Sequence, residues 1–170
     1  LDDIYFYAQG IPRLLVTWKP ENELSILKFF ENNVKKYPNE IAFIFKDQEI
    51  SWQAADIKVS EYGAYLQSQG IEKGDCFALL MDNCPDFLML LLAAHRIGAI
   101  AALINTTVTG DGLKHVVTIV DAKAVILGAS HIDKFNSSMP ESELEALNLY
   151  AIEDSQKIPN EYIDINEQSK

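Results

Sequence analysis

Residues 82–112 compress the end of one strand, an apolar helix, a second strand and a loop into about thirty residues. Two strands joined by so short a helical crossover lie parallel, so the unit reads as βαβ. Upstream of it, residues 76–81 form a continuous apolar run of the kind found where both faces of a strand are buried. Pro85 at a first helical position and Gly98 just past the last predict a helix over Pro85–Ile97, and residues 99–104 are the next strand. Thr109 is placed to cap a further helix in which Leu113, Val116, Val117 and Val120 share a face. Residues 124–127 are then another buried strand. Strand, helix, strand, helix, strand predicts a parallel sheet with right-handed crossovers, hence an α/β fold.

The flanking sequence adds helices and a hairpin. Leu24, Leu27, Phe30, Val34 and Tyr37 recur at three- and four-residue spacing, the apolar stripe of a helix that Pro38 terminates. Residues 41–46 and 49–52 read as two strands of a β-hairpin broken at Asp47 and Gln48, neither of which is the Gly or Asn a tight turn prefers. Ser51 can cap the next helix, whose Ala55, Val59, Tyr62 and Leu66 form an ordinary core stripe before Gly70 ends it. Residues 1–22 show no clean periodicity and read as an irregular lead-in; residues 23–152 make the α/β portion. After Gly128 the pattern fades to one short strand near 147–151, and residues 153–170 read as an acidic linker.

Composition excludes several classes of function. With 48% hydrophobic and 23% charged residues the chain is an ordinary globular one. Its 14 Lys and Arg against 25 Asp and Glu, a net charge of −11, would repel phosphate backbones, and only Lys35 and Lys36 are adjacent, so no nucleic-acid partner is expected. Cys76 and Cys84 lack metal spacing and read as packing residues in a reducing, cytoplasmic setting. The Asn105-Thr106-Thr107 and Asn136-Ser137-Ser138 triplets match the glycosylation pattern without a visible signal peptide. Residues 87–104 are nearly all apolar, yet His95, Arg96 and Gly98 divide them into pieces too short for a membrane span. Leu rather than Met at position 1 suggests a trimmed start, which leaves room for a removed leader or anchor.

Four motifs now fall in a known order. Ile50-Ser51-Trp52 at the hairpin end resembles the first core motif of the adenylate-forming (AMP-binding) enzymes, and the run from His95 to Asn105 resembles the second, in which a small-residue turn joins helix to strand. Between them, Gly70-Ile71-Glu72-Lys73-Gly74-Asp75 and Asn83-Cys84-Pro85-Asp86-Phe87 look like the same family's connecting elements. Residues 101–106, with Gly110 five residues after Asn105 and His115 five further on, look most like the fatty acid transport protein and very-long-chain acyl-CoA synthetase branch. The resemblance implies a partial N-terminal domain of that superfamily, and a parent enzyme that uses ATP, magnesium and coenzyme A to convert a long- or very-long-chain fatty acid to its adenylate and then its thioester. A ligase of another carboxylate, carnitine-like or aromatic, and a truncated non-catalytic binding module are the alternatives.

The family's chemistry needs a Gly-, Ser- and Thr-rich loop ending in Lys, acidic residues for ribose and magnesium, and a lysine on a mobile C-terminal domain. Those donors and cations stabilise the transferred phosphoryl charge. The sequence supplies none of them, so no catalytic, cofactor-binding or metal residue is assigned, and the chain alone is expected to be inactive, the phosphate loop falling beyond residue 170. Gly110-Asp111-Gly112 lacks the Lys and places an acid where phosphate would sit. His95 and His115 read as structural. Asn105 ends a strand at the carboxyl edge of the sheet, the usual ligand side, so Asn105 and Thr106 are the substrate-cleft candidates, against a reading in which Asn105 only holds the turn. The expected partners are the remainder of the parent enzyme and its fatty acid, with membrane association carried by the parent and self-association of the piece through exposed sheet edges.

Overall fold

A computed structural model describes residues 25–144, 147–153, 158–159 and 162–168. The lead-in expected over residues 1–22 lies outside the described residues. Helix α1 (Ile26–Lys36) starts where the Ser25 hydroxyl accepts the Lys28 amide at 3.1 Å, and it buries Phe30. Strands β1 (Ile41–Phe45) and β2 (Gln48–Ser51) pair antiparallel as the hairpin. The turn is Lys46-Asp47, one residue earlier than the sequence implies, because Gln48 enters the ladder opposite Phe45 and Lys46 takes a positive φ of 52°.

Helix α2 (Trp52–Ser68) is capped by Ser51, whose hydroxyl accepts the Ala54 amide at 3.1 Å. Ser51→Ala is expected to lower stability by about 1 kcal/mol, read by urea unfolding, since that amide would lose its partner. Strand β3 (Cys76–Leu80), helix α3 (Pro85–Ile97), strand β4 (Ile100–Leu103), helix α4 (Gly110–Ile119) and strand β5 (Ala124–Gly128) follow in the predicted order. Thr109 is the N-cap of α4, but its side chain makes no capping bond. The Gly110 amide instead donates to the Ser138 hydroxyl at 3.0 Å.

Past β5, a 3-10 turn (Ala129–His131) runs into helix α5 (Ile132–Ser138), then helix α6 (Glu141–Leu144) and strand β6 (Asn148–Ile152). Periodicity could not reveal α5, since seven residues display only Ile132 and Phe135 as buried positions. The linker expected over 153–170 needs correcting where it is described. Strand β7 (Ile163–Asp164) pairs with β6, helix α7 (Ile165–Gln168) follows, and Tyr162 and Ile165 are buried. Acidic composition masked two apolar anchors spaced three residues apart.

The sheet order is β4-β3-β5-β6-β7 with every pairing parallel. Alternation along each strand divides the core into two layers. Phe77, Leu79 and Met81 of the β3 run, Ala124 and Ile126 of β5, and Tyr150 and Ile152 of β6 pack with α1, α2 and α3. Ala78, Leu80, Val125, Leu127 and Ala151 point the other way, onto α4 and α5. Arg96 ties the first helical layer together. Its guanidinium donates to Asp56 Oδ1 at 2.7 Å and to the Ser60 hydroxyl at 2.9 Å, with Glu31 at 3.7 Å. Gly98 ends α3 in the left-handed region, and among the described residues no helix is long and apolar enough to cross a membrane.

Candidate functional site

The strand order reverses between β4 and β5 on either side of β3, and ligands of open α/β sheets bind beyond the carboxyl ends of strands at such a point. Three features of α5 and its approach bridge that crevice. Lys134 donates to the Thr106 carbonyl, Ser138 holds the Gly110 amide, and His131 Nε2 lies 3.2 Å from Asp82 Oδ1. Among the described residues, Nε2 is buried and makes no hydrogen bond.

Asn105 is exposed at the end of β4, and its side-chain oxygen accepts from the Thr107 amide at 2.9 Å and the Thr107 hydroxyl at 3.0 Å. That is a turn-forming role, in which a short side chain mimics the next stretch of backbone. Thr106 is half-buried and engaged through its carbonyl. Neither residue is among those lining the open cleft described next.

A cleft of about 670 Å³ opens between the hairpin turn and the loop from β3 to α3. Lys46 and Lys58 stand on one wall, Asp82, Cys84 and Asp86 on the other, and Met81 and Met89 contribute apolar surface. Each piece is placed by local sequence. The left-handed Lys46 tips the hairpin over the cleft, and Pro85 at the first turn of α3 sets Asp86 one residue inside the helix, where its charge meets the positive end of the dipole.

Behind the Asp86 wall lies the residue that sequence reasoning treated as plain core. Tyr62 is fully buried, its hydroxyl bonds Asp86 Oδ1, and Asn166 Oδ1 of α7 lies 2.9 Å away. Lys58 sits 4.7 Å above the ring. Burial, and secondarily the Asp86 carboxylate, push the Tyr62 phenol far above its ordinary range. One signal could have found it: a tyrosine on a core stripe carries a hydroxyl that must meet a partner.

His95 stays local, its Nδ1 2.9 Å from the Leu91 carbonyl of the preceding turn, and His115 is exposed. Among the described residues no three His, Cys, Asp or Glu side chains gather as metal ligands. The start of α4 does not suit a phosphate, since Ser138 occupies the Gly110 amide and Asp111 sits in the first turn.

The AMP-binding enzyme family matches residues 30–169. The chain belongs to that family. This AMP-binding chain is 29% identical over 108 residues to the medium/long-chain-fatty-acid–CoA ligase FadD6 of Mycobacterium tuberculosis, covering 64% of itself and 18% of that protein. It is 24% identical over 170 residues to the human long-chain fatty acid transport protein 6, covering 98% of itself and 27% of that protein. The chain therefore spans about a quarter or less of the length of these relatives. Its fold matches the crystal structure of the anthranilate CoA ligase AuaEII in complex with anthranoyl-AMP with a TM-score of 0.76 at 19% identity, over 84% of this chain and 27% of that one. The hairpin-end and helix-to-strand motifs that suggested adenylate-forming enzymes thus lie in an AMP-binding chain with the parallel sheet expected of them.

Proposed function

We propose that this AMP-binding chain is the amino-terminal piece of a long- or very-long-chain fatty acid–CoA ligase and contributes scaffold to it. The observation that carries this is the family match over residues 30–169 together with curated relatives that are fatty-acid–CoA ligases and fatty acid transport proteins. In the parent, ATP and magnesium drive formation of the acyl-adenylate, and coenzyme A takes the acyl group. The phosphate-holding loop belongs to other parts of the parent, which accords with the poor fit of a phosphate at Gly110. Residues 23–152 and the described tail form one α/β unit in this reading. Asn105 and Thr106 border the acyl side through the turn they build at the carboxyl end of β4.

The purified 170-residue chain, mixed with palmitate, ATP, magnesium and coenzyme A, is expected to release no palmitoyl-CoA. Measurable turnover would show that the catalytic groups lie within these residues after all. The parent reading frame, expressed whole, is expected to form the thioester from palmitate in preference to benzoate or carnitine. A preference for either of the latter would replace the fatty acid with another carboxylate while leaving the ligase chemistry standing.

A further inference from the structure

We propose that the Tyr62 hydroxyl is a positioning latch that couples the wall of the 670 Å³ cleft to the docking of residues 162–168. On the cleft side, Tyr62 is met by two lining residues, Asp86 at its hydroxyl and Lys58 over its ring. On the far side it is met by Asn166, whose backbone N–H donates to Asp164 Oδ1 at 2.8 Å. A fully buried tyrosine thus stands between an open cleft and residues 162–168, its one hydroxyl in contact with a group from each.

The chemistry of the hydroxyl makes the two ends interdependent. Two acceptor oxygens, Asp86 Oδ1 and Asn166 Oδ1, surround one phenolic proton, which cannot serve both. The carboxylate is the stronger acceptor and takes the proton, so the Asn166 amide turns to donate its Nδ2–H to the phenol oxygen. A phenol that gives its proton to a carboxylate is the more polarised acceptor, so the Asp86 bond strengthens the Asn166 bond behind it. When a cation or hydrogen-bond donor in the cleft engages Asp86, that reinforcement falls and the segment loosens.

The described elements of the segment are short. Strand β7 contributes two residues to the sheet, and burial is concentrated at Tyr162 and Ile165. The Tyr162 hydroxyl also bonds Asn136 Oδ1 at 2.5 Å. Short elements open at the low end of the stability range. The latch stands on this geometry and not on the ligase reading.

Amide hydrogen exchange on the purified chain, comparing residues 165–168 with residues 124–128 of β5, tests it. Tyr62→Phe keeps the buried ring and is expected to speed exchange at 165–168 about tenfold, with β5 unchanged. Asn166→Ala should do the same, and the double variant should add nothing to Tyr62→Phe, because the Tyr62–Asn166 bond is already lost there. Asp86→Asn, which keeps the shape of the cleft-side acceptor but not its charge, should speed exchange at the same residues about threefold. Unchanged exchange in Tyr62→Phe, a double variant near the roughly hundredfold product of the singles, or no response to Asp86→Asn would each overturn the latch. Should Tyr62→Phe fail to fold, the Asp86→Asn and Asn166→Ala cycle, built on residues that are not in the buried core, decides the matter by the same non-additivity.

Discussion

Phe77→Ala is expected to lower the unfolding free energy by about 3–5 kcal/mol, the range for emptying an aromatic site in a packed core. Phe77 is fully buried on β3, and its register partners on both sides are small: Ala101 on β4 and Ala124 on β5. The ring therefore fills a row that would otherwise hold three alanines across the sheet. Neither neighbouring strand has a side chain long enough to collapse into the space, so the cavity term adds fully to the lost transfer energy. Urea unfolding is the measurement, with Ile57→Ala as control, since Ile57 is 54% exposed and should shift stability by no more than about 0.5 kcal/mol. A loss below about 1 kcal/mol for Phe77→Ala would mean that the α2 and α3 layer repacks onto the sheet. The effect reaches the candidate site as well, because the loop carrying Asp82 and Cys84, and the start of α3 carrying Asp86, follow directly from the end of β3.

That strand illustrates why the centre of the fold could be read from the sequence. An unbroken apolar run flanked by turn residues has few places to go but a sheet covered on both faces, and Pro85 and Gly98 each carry a backbone restriction that marks a helix end directly. The elements from Cys76 to Gly128 follow from such local rules. Helix α5 does not, because two apolar residues three apart fit a helix and a loop equally well, and its position is fixed by tertiary bonds from Lys134 and Ser138 to the β4–α4 loop. Strand β7 escapes for a related reason: two residues carry no period, and it exists because β6 offers it an edge.

The candidate site was less legible than the fold. Strand-end position alone put forward Asn105 and Thr106, and the structure shows one spending its side chain on a turn and the other bound through its carbonyl. The cleft is assembled from the hairpin, α2, the β3–α3 loop and the end of β6, pieces spread from Phe45 to Glu153, so no short window of sequence contains it. Tyr62 was visible only as one member of a stripe, since a helical repeat reports which face is buried and is silent on the hydroxyl at its edge.

Gly98→Ala is the second substitution expected to have a large effect, about 2–3 kcal/mol, and its origin can be divided by experiment. Gly98 closes α3 at φ 76° and ψ 16°, a left-handed conformation that costs a residue with a Cβ about 1–2 kcal/mol. A Cβ built there would also stand 2.9 Å from Lys73 Cγ, closer than side chains tolerate. The geometry cannot relax freely, because the Ala99 amide donates to the Ala94 carbonyl at 2.9 Å while the Gly98 carbonyl accepts the Gly74 amide at 2.9 Å. Those two bonds turn the chain from α3 into β4 and lock that turn to the loop before β3. In a Lys73→Ala background the contact disappears and the backbone cost remains, so Gly98→Ala should there cost only about 1–2 kcal/mol. Equal losses in the two backgrounds would assign the whole effect to the left-handed backbone. A loss near zero in both would mean that the α3–β4 turn adopts another conformation, and with it that the carboxyl end of β4, where Asn105 sits, is not fixed by this glycine.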